Sequence, residues 1–261
     1  MKVVLFCGGF GLRLRDHEPT LPKAVVPLGK EPLVLHVMRY YAHFGHTEFI
    51  LCLGYKGEVI RSALEQAMAQ PPLPGDDSNQ DMRRWTVHFV DTGLDATIAD
   101  RLVAVRPYLQ DEVFFANYCD TLTDVDLSLL VKEHAERGVV ASFMCVRPHL
   151  SLHHVEVDEA TGMVSSIRSI RDALRINGGF FTLDQRIFDY IQPGDELVEQ
   201  PFERLMILGR LHGHVYDGFW STLDTFKDHM RLSSQLAQGP GPWQVWLRRE
   251  RASSPAEVLS V

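Results

Sequence analysis

The residues that could do chemistry gather first at the start of the chain, which reads MKVVLFCGGFGLRLRDHEPTLPK. An apolar run stops at Cys7; Gly8, Gly9 and Gly11 follow, and then the cations Arg13, Arg15 and Lys23. Glycines directly after a strand let backbone N–H groups approach phosphate oxygens that a Cβ would hold off. Cations just behind them can neutralise the anion held there. The stretch therefore reads as an anion site, although a glycine turn with solvated cations fits the same residues. It is not a P-loop, because GxxxxGK[ST] is absent. It is not a dinucleotide fingerprint either, because Leu14 takes the place of the third glycine. Two carboxylates are placed where they could join such a site. Asp120 closes the apolar run FFANYCD, and Asp224 lies far downstream in FWSTLDT.

These groups need a scaffold. KVVLFC, TEFILCLGY, EVFFANYCD and VVASFMCVR are apolar runs of the kind buried on both faces of a sheet. Between them, PLVLHVMRYYAHFG has Leu33, Val37, Tyr41 and Phe44 near one helical face, with Gly45 as a stop. KGEVIRSALEQAMAQ and VDLSLLVKEHAERG also read as helices, and WTVHFVD as a strand. Strand–helix alternation predicts a doubly wound, mostly parallel sheet in three layers, with right-handed crossovers. Ligands in such sheets bind at the carboxyl ends of the strands, where the glycines and Asp120 lie.

After about residue 150 the texture changes. HHVEVDEATGMVSSIRSI predicts an antiparallel hairpin, and RINGGFFTLD a strand whose glycines suit a bulge. QPFERLMILGR and TLDTFKDHMRLSSQL predict helices around the strand LHGHVYDG. The stretch 71–84 predicts a long surface loop. The expected organisation is one domain over 1–237, in two halves (1–150 and 151–237), then a tail (238–261) whose last residues are disordered.

Composition narrows the partners. The chain has 261 residues, is 45% hydrophobic and 23% charged, and carries a formal net charge of -8. Nucleic-acid binding needs clustered Lys and Arg, which are missing, so no nucleic acid is expected. No apolar stretch approaches the roughly 20 residues of a membrane span, so no membrane is expected either. Cys7, Cys52, Cys119 and Cys145 are scattered and form no CxxC pair. They suit a reduced cytoplasmic protein better than a zinc site or a disulfide framework. The His pairs in SLHHVEV and LHGHVYD show no zinc spacing.

The glycine stretch resembles the signature of sugar-1-phosphate nucleotidyltransferases, Gly-Gly-x-Gly-Thr-Arg-Leu followed by Pro-Lys-Pro. Gly8, Gly9, Gly11, Arg13, Leu14, Pro22 and Lys23 match it. LGYKGEVI, VDTG, INGGFF, GFWSTLDTFKD and GPGPWQVW are similar to the glucose-1-phosphate cytidylyltransferase branch. The resemblance implies a Rossmann-like α/β fold of the nucleotidyltransferase type, with antiparallel sugar-binding additions, in which the half 1–150 binds the nucleotide and the half 151–237 the sugar phosphate. It implies Mg²⁺-dependent attack of a sugar-1-phosphate on the α-phosphorus of a nucleoside triphosphate, with CTP the nucleotide of that branch. A phosphate nucleophile has a second pKa of about 6, so it needs no general base. What it needs is charge neutralisation, because two polyanions must meet.

Under this resemblance Gly8, Gly9, Gly11, Arg13, Asp91 and Thr92 bind the nucleotide. Arg13 and Lys23 are the catalytic cations, and Asp120 and Asp224 hold the metal. Asn177, Gly178 and Trp220 meet the sugar. A homo-oligomer is implied as well, and the two tryptophans of PWQVW could pack on a neighbour. Four departures qualify the picture. Leu12 replaces the threonine, and CDT replaces Gly-Asp-Gly around Asp120. Ile98-Ala99-Asp100 replaces Thr-Gly-Gly near the nucleotide. Ile170 stands where the family's Glu-Lys-Pro lysine grips the sugar phosphate, so Arg171, or else Arg168 or Arg175, is expected to substitute. The acceptor could then be glucose-1-phosphate, a modified sugar, a cyclitol phosphate or a phosphonate. A catalytically weak regulatory homologue that binds the same ligands is the alternative reading.

Overall fold

Apolar runs without polar alternation must be covered on both faces, and here they form the middle of a sheet. The computed structural model of the chain describes residues 1–9, 21–71, 79–110, 113–149 and 152–247. Its strands are β1 (Val3–Phe6), β2 (Pro27–Leu28), β3 (Glu31–Pro32), β4 (Glu48–Leu53), β5 (Thr86–Asp91), β6 (Val113–Tyr118) and β7 (Thr121–Thr123). Then come β8 (Ala141–Val146), β9 (His153–Val157), β10 (Val164–Ser169), β11 (Ile176–Asn177), β12 (Phe181–Asp184), β13 (Leu211–Tyr216) and β14 (Trp220–Thr222). The helices are α1 (Leu33–His43), α2 (Gly57–Met68), α3 (Ile98–Val105), α4 (Leu127–Arg137), α5 (Ile170–Ala173), α6 (Gln200–Ile207) and α7 (Phe226–Gln238).

The main sheet runs β5-β4-β1-β6-β12-β8-β11, with β13 also bonded to β8. Pairs β4–β5, β1–β4, β1–β6 and β8–β13 are parallel; β12 and β11 run antiparallel to their neighbours. This is the mostly parallel sheet with antiparallel additions that the sequence predicts. Side chains alternate across each strand. Val3 and Leu5 therefore join one core with α1, α2, α4 and α7, while Val4 and Phe6 join another with α3 and α6. The chain moves outward from β1 to β4 and β5, then returns to β6 on the other side of β1. That reversal opens a crevice at the carboxyl ends of β1 and β6.

Several expectations need amendment. Helix α1 is buried from Leu33 to Ala42, not along one face. The tail covers its outer side: Trp243 is 1% exposed, donates its indole N–H to His36 Nδ1 (3.2 Å) and stacks on Phe219. Trp243 therefore packs on its own chain rather than on a neighbour. Gln80 and Met82 are also buried, Gln80 against Arg39 of α1 (3.2 Å), so the end of the stretch 71–84 is core rather than surface loop. Residues 72–78 and 248–261 lie outside the described residues. Helix α3, absent from the expected elements, is started by a Thr97–Asp100 capping box. The strand predicted for RINGGFFTLD is interrupted between β11 and β12, where Gly179 and Phe180 have φ of 73° and 51°. No helix among the described residues is long and apolar enough to cross a membrane.

One half-buried histidine should make the fold acid-sensitive. Burial first, and the terminal ammonium second, push the His46 imidazole down to about 4. The unfolded chain titrates near 6.5, so between these values it binds the proton more readily than the folded chain. Stability is then present above that unfolded value and is lost as pH falls toward 4. His46→Gln should reduce the drop in urea midpoint between pH 7.5 and pH 5 relative to wild type. An identical drop in both proteins would assign the acid loss to other groups.

Candidate active site

The crevice holds a cavity of about 500 Å³, reached by Cys7 and Gly9 from the end of β1, Tyr118 and Asp120 from the end of β6, and Lys23. Lys23 begins a single 3-10 turn pinned by its buried neighbours Ala24 and Val25. Its ammonium bridges both Asp120 and Asp224. Strand pairing explains how two distant carboxylates meet. Asp120 sits in the turn between β6 and β7, and β14 pairs with β7 through Thr222 and Thr121. The Leu223 amide then donates to the Asp120 carbonyl (3.0 Å), which sets Asp224 beside it. The Lys23 side chain is 13% exposed. Burial pulls its pKa down, but the Asp120 and Asp224 carboxylates outweigh that and hold it above the ordinary lysine value.

Two carboxylates converging on one cation are a donor set suited to a hard divalent ion that keeps waters and phosphate oxygens as its other ligands. Among the described residues no group of three or more His, Cys, Asp or Glu side chains could hold a metal by itself. Substrate oxygens would therefore have to complete the shell.

Opposite Lys23 lies a cation that the sequence motifs do not single out. Arg101 of α3 is 3% exposed and lines the cavity. Its guanidinium donates to the carbonyls of Leu53 (3.1 Å), Gly93 (2.9 Å), Leu94 (3.2 Å) and Gly8 (3.4 Å), and to Thr92 Oγ1 (2.7 Å). These bonds tie the glycine turn after β1 to the loop after β5. Thr92 accepts from Arg101, and Asp91 accepts from the Gly93 amide (3.0 Å); neither lines the cavity. Ile98 and Glu196 do line it, and the Glu196 carboxylate accepts from the Ile98 amide (3.4 Å). An arginine directly after Asp100 in the largely apolar IADRLVAV was the available signal for Arg101. Gly11 and Arg13 lie outside the described residues.

Gly8 has a packing reason to lack a side chain. A Cβ there would meet Arg101 Nη1 at 2.0 Å, whereas one on Gly9 would meet nothing within 4 Å. Gly8→Ala must displace a buried guanidinium, and we expect it to cost about 1–3 kcal/mol. Gly9→Ala should leave the urea midpoint unchanged. Equal midpoints for both variants would refute this role for Arg101.

A second cavity, of about 480 Å³, adjoins the first and shares Tyr118, Asp120 and Asp224 with it. Asn177 and Trp220 line it. Asn177 Oδ1 accepts from the Gly179 amide (2.9 Å), and its amide nitrogen donates to the Tyr118 hydroxyl (3.4 Å). The Trp220 indole donates to the Gly178 carbonyl (2.8 Å). A Cβ on Gly178 would meet Val146 at 2.9 Å and Trp220 at 3.1 Å. Gly178 thus makes room for Trp220 to close on the strand.

The three expected substitute arginines are placed elsewhere. Arg175 is held by both oxygens of Asp217 (2.9 and 3.0 Å), and Arg168 pairs with Glu156 on the β9–β10 hairpin. Arg171 lines a small recess, beside Arg147 and Asp217, that shares His149 and Trp220 with the second cavity. The cation that does line the second cavity is Arg231 of α7.

No family model matches the chain. A Bacillus subtilis (strain 168) protein named as a probable glucose-1-phosphate cytidylyltransferase is 31% identical to it over 255 residues, covering 94% of this chain and 100% of that one. The glucose-1-phosphate cytidylyltransferase of Salmonella typhi is 31% identical over 260 residues, with 94% and 100% covered. Among solved structures, HddC from Yersinia pseudotuberculosis shares the fold, with a TM-score of 0.64 at 18% identity over 90% of this chain and 99% of that one.

Proposed function

The chain belongs to the sugar-1-phosphate nucleotidyltransferases, as a divergent member, and from that premise we propose that it transfers a cytidylyl group from CTP to a sugar-1-phosphate. The observation that carries the reading is the bridge from Lys23 to Asp120 and Asp224 at the junction of two cavities. One cavity, bordered by the glycine turn and Arg101, suits the nucleotide. The other, bordered by Asn177 and Trp220, suits the acceptor. The relatives named as glucose-1-phosphate cytidylyltransferases support CTP and glucose-1-phosphate as the first pair to try.

In the reaction an acceptor phosphate oxygen forms a bond to the α-phosphorus, and the bond from that phosphorus to the bridging oxygen of pyrophosphate breaks. No proton has to be removed from the nucleophile. Lys23, bonded to the two aspartates that the cavities share, would neutralise the two phosphates as they approach. The Gly8 and Gly9 backbone would border the nucleotide, with Arg101 holding the turn in shape. Arg13 and Gly11 complete the proposed nucleotide side. Asp120 and Asp224 would hold Mg²⁺, which when bound supplies neutralisation of phosphate charge. Asn177 would hydrogen-bond acceptor hydroxyls against the Trp220 wall.

Oligomerisation is part of the proposal. The β9–β10 hairpin exposes Val155, Val157, Met163, Val164 and Ile167, an apolar surface that a second copy could cover. Light scattering that returns only monomer would remove it. The activity itself is tested with CTP, UTP, dTTP, GTP and ATP, each against a panel of sugar-1-phosphates, following pyrophosphate release with and without EDTA. Release with CTP that EDTA abolishes is the expected result. Absence of metal-dependent release for every pair would overturn the reading.

A further inference from the structure

The second cavity faces an electrostatic problem. Three carboxylates border it, those of Asp120, Asp224 and Asp228; Lys23 pairs with the first two, and the acceptor proposed for the cavity is itself an anion. Lys23 borders the first cavity rather than the second. Among the described residues that line the second cavity, Arg231 is the sole Lys or Arg and His149 the sole histidine.

Arg231 is held with donors to spare. On the second turn of α7, its Nη2 donates to Ser221 Oγ (2.6 Å) and reaches Asp228 Oδ1 at 3.5 Å. Asp228 is largely committed to capping the helix, since its Oδ2 accepts from the Thr225 amide (3.0 Å) and hydroxyl (2.7 Å). The ion pair is therefore loose, and the Arg231 side chain remains 34% exposed. Its Nε and Nη1 have no partner among the described residues, and a guanidinium presents such donors as a fork that matches an oxyanion. A long helical side chain also leans toward the helix N-terminus, which here is the Asp224 end of the cavity. His149 is near enough for the Arg231 charge to act on it: burial first, and Arg231 second, hold the imidazole below its usual range. Arg171 adds a smaller push in the same direction, and the neutral imidazole that this favours does not oppose Arg231.

We propose that Arg231, backed by His149, is the residue that grips the acceptor's phosphate in the second cavity, the role for which the sequence pointed to Arg171. This rests on the function proposed above, and it assigns the acceptor class as a phosphate or phosphonate whose oxyanion must meet a guanidinium.

The test is steady-state kinetics on Arg231→Gln, Arg231→Lys and Arg171→Ala, with isothermal titration of inorganic phosphate into each protein without nucleotide. Arg231→Gln should raise KM for the acceptor by roughly 10- to 100-fold, the loss of a charge-assisted hydrogen bond, and leave KM for the nucleotide within about threefold. Arg231→Lys should recover part of the loss. Phosphate should bind wild type and Arg171→Ala alike and Arg231→Gln more weakly. Thermal melting separates this effect from the loss of the Ser221 bond, and the lysine variant serves if the glutamine variant does not fold. Unchanged acceptor KM in Arg231→Gln, or a rise confined to Arg171→Ala, overturns the assignment. Should no nucleotide–sugar pair turn over, the proposed function falls, while the phosphate titration still decides whether Arg231 holds an oxyanion.

Discussion

Lys23→Met should lower kcat by about a thousandfold, the scale at which removal of a preorganised charge acts on a developing anion. The same change should tighten divalent-metal binding. Both follow from one geometry. The Lys23 ammonium lies between Asp120 and Asp224 in a largely covered site, so it holds the position a metal ion would seek. Methionine keeps the length and removes the charge. The two carboxylates are left facing each other, and a cation of any kind relieves their repulsion. We expect Mn²⁺ to bind Lys23→Met roughly tenfold more tightly, since one competing like charge has gone. Calorimetric Mn²⁺ titration together with turnover separates this from simple damage, because a disrupted site would lose both. Turnover within tenfold of wild type would show that Lys23 does not act on the phosphates.

Asp120→Asn should also cost about two to three orders of magnitude in kcat, as expected when a metal-holding carboxylate loses its charge. Its more specific signature is in the pH profile. Burial is the largest influence on Lys23 and acts to deprotonate it; the Asp120 charge comes next and opposes burial, followed by Asp224. With both carboxylates present the ammonium stays charged beyond the ordinary lysine range. Without Asp120 less charge opposes burial, and the lysine should titrate lower. The alkaline limb of kcat/KM should move to lower pH in Asp120→Asn, and by less in Asp224→Asn. A limb that stays in place in both variants would mean that Lys23 need not be charged for the reaction.

Much of the scaffold was legible because its signals are local. KVVLFC and TEFILCLGY carry no polar alternation, so they had to be interior strands. Gly138 after VKEHAER marked a helix end, and the residue adopts a φ of 61° there. Two misreadings share a cause. Helix α1 looked half-exposed and Trp243 looked free for a neighbour, because each covers the other and neither partner shows in its own segment. Helix α3 has a capping box, but its eight residues carry too little periodicity to stand out.

The active site divides along the same line. The glycines, Lys23 and the two aspartates could be named from residue type and from motif, because a reaction between polyanions demands cations and hard oxygen ligands wherever the chain ends its strands. By itself the sequence therefore determined the inventory of groups and the class of chemistry. Only the tertiary structure decided their arrangement. The β7–β14 pairing brings Asp224 to Asp120, burial fixes Arg101 against Gly8, and the packing of α7 brings Arg231, an ordinary helix cation in the sequence, to the second cavity. The physical reason is range: an arginine's type is written in one residue, but whether it meets water, a carboxylate or a phosphate depends on strands and helices far away in the chain.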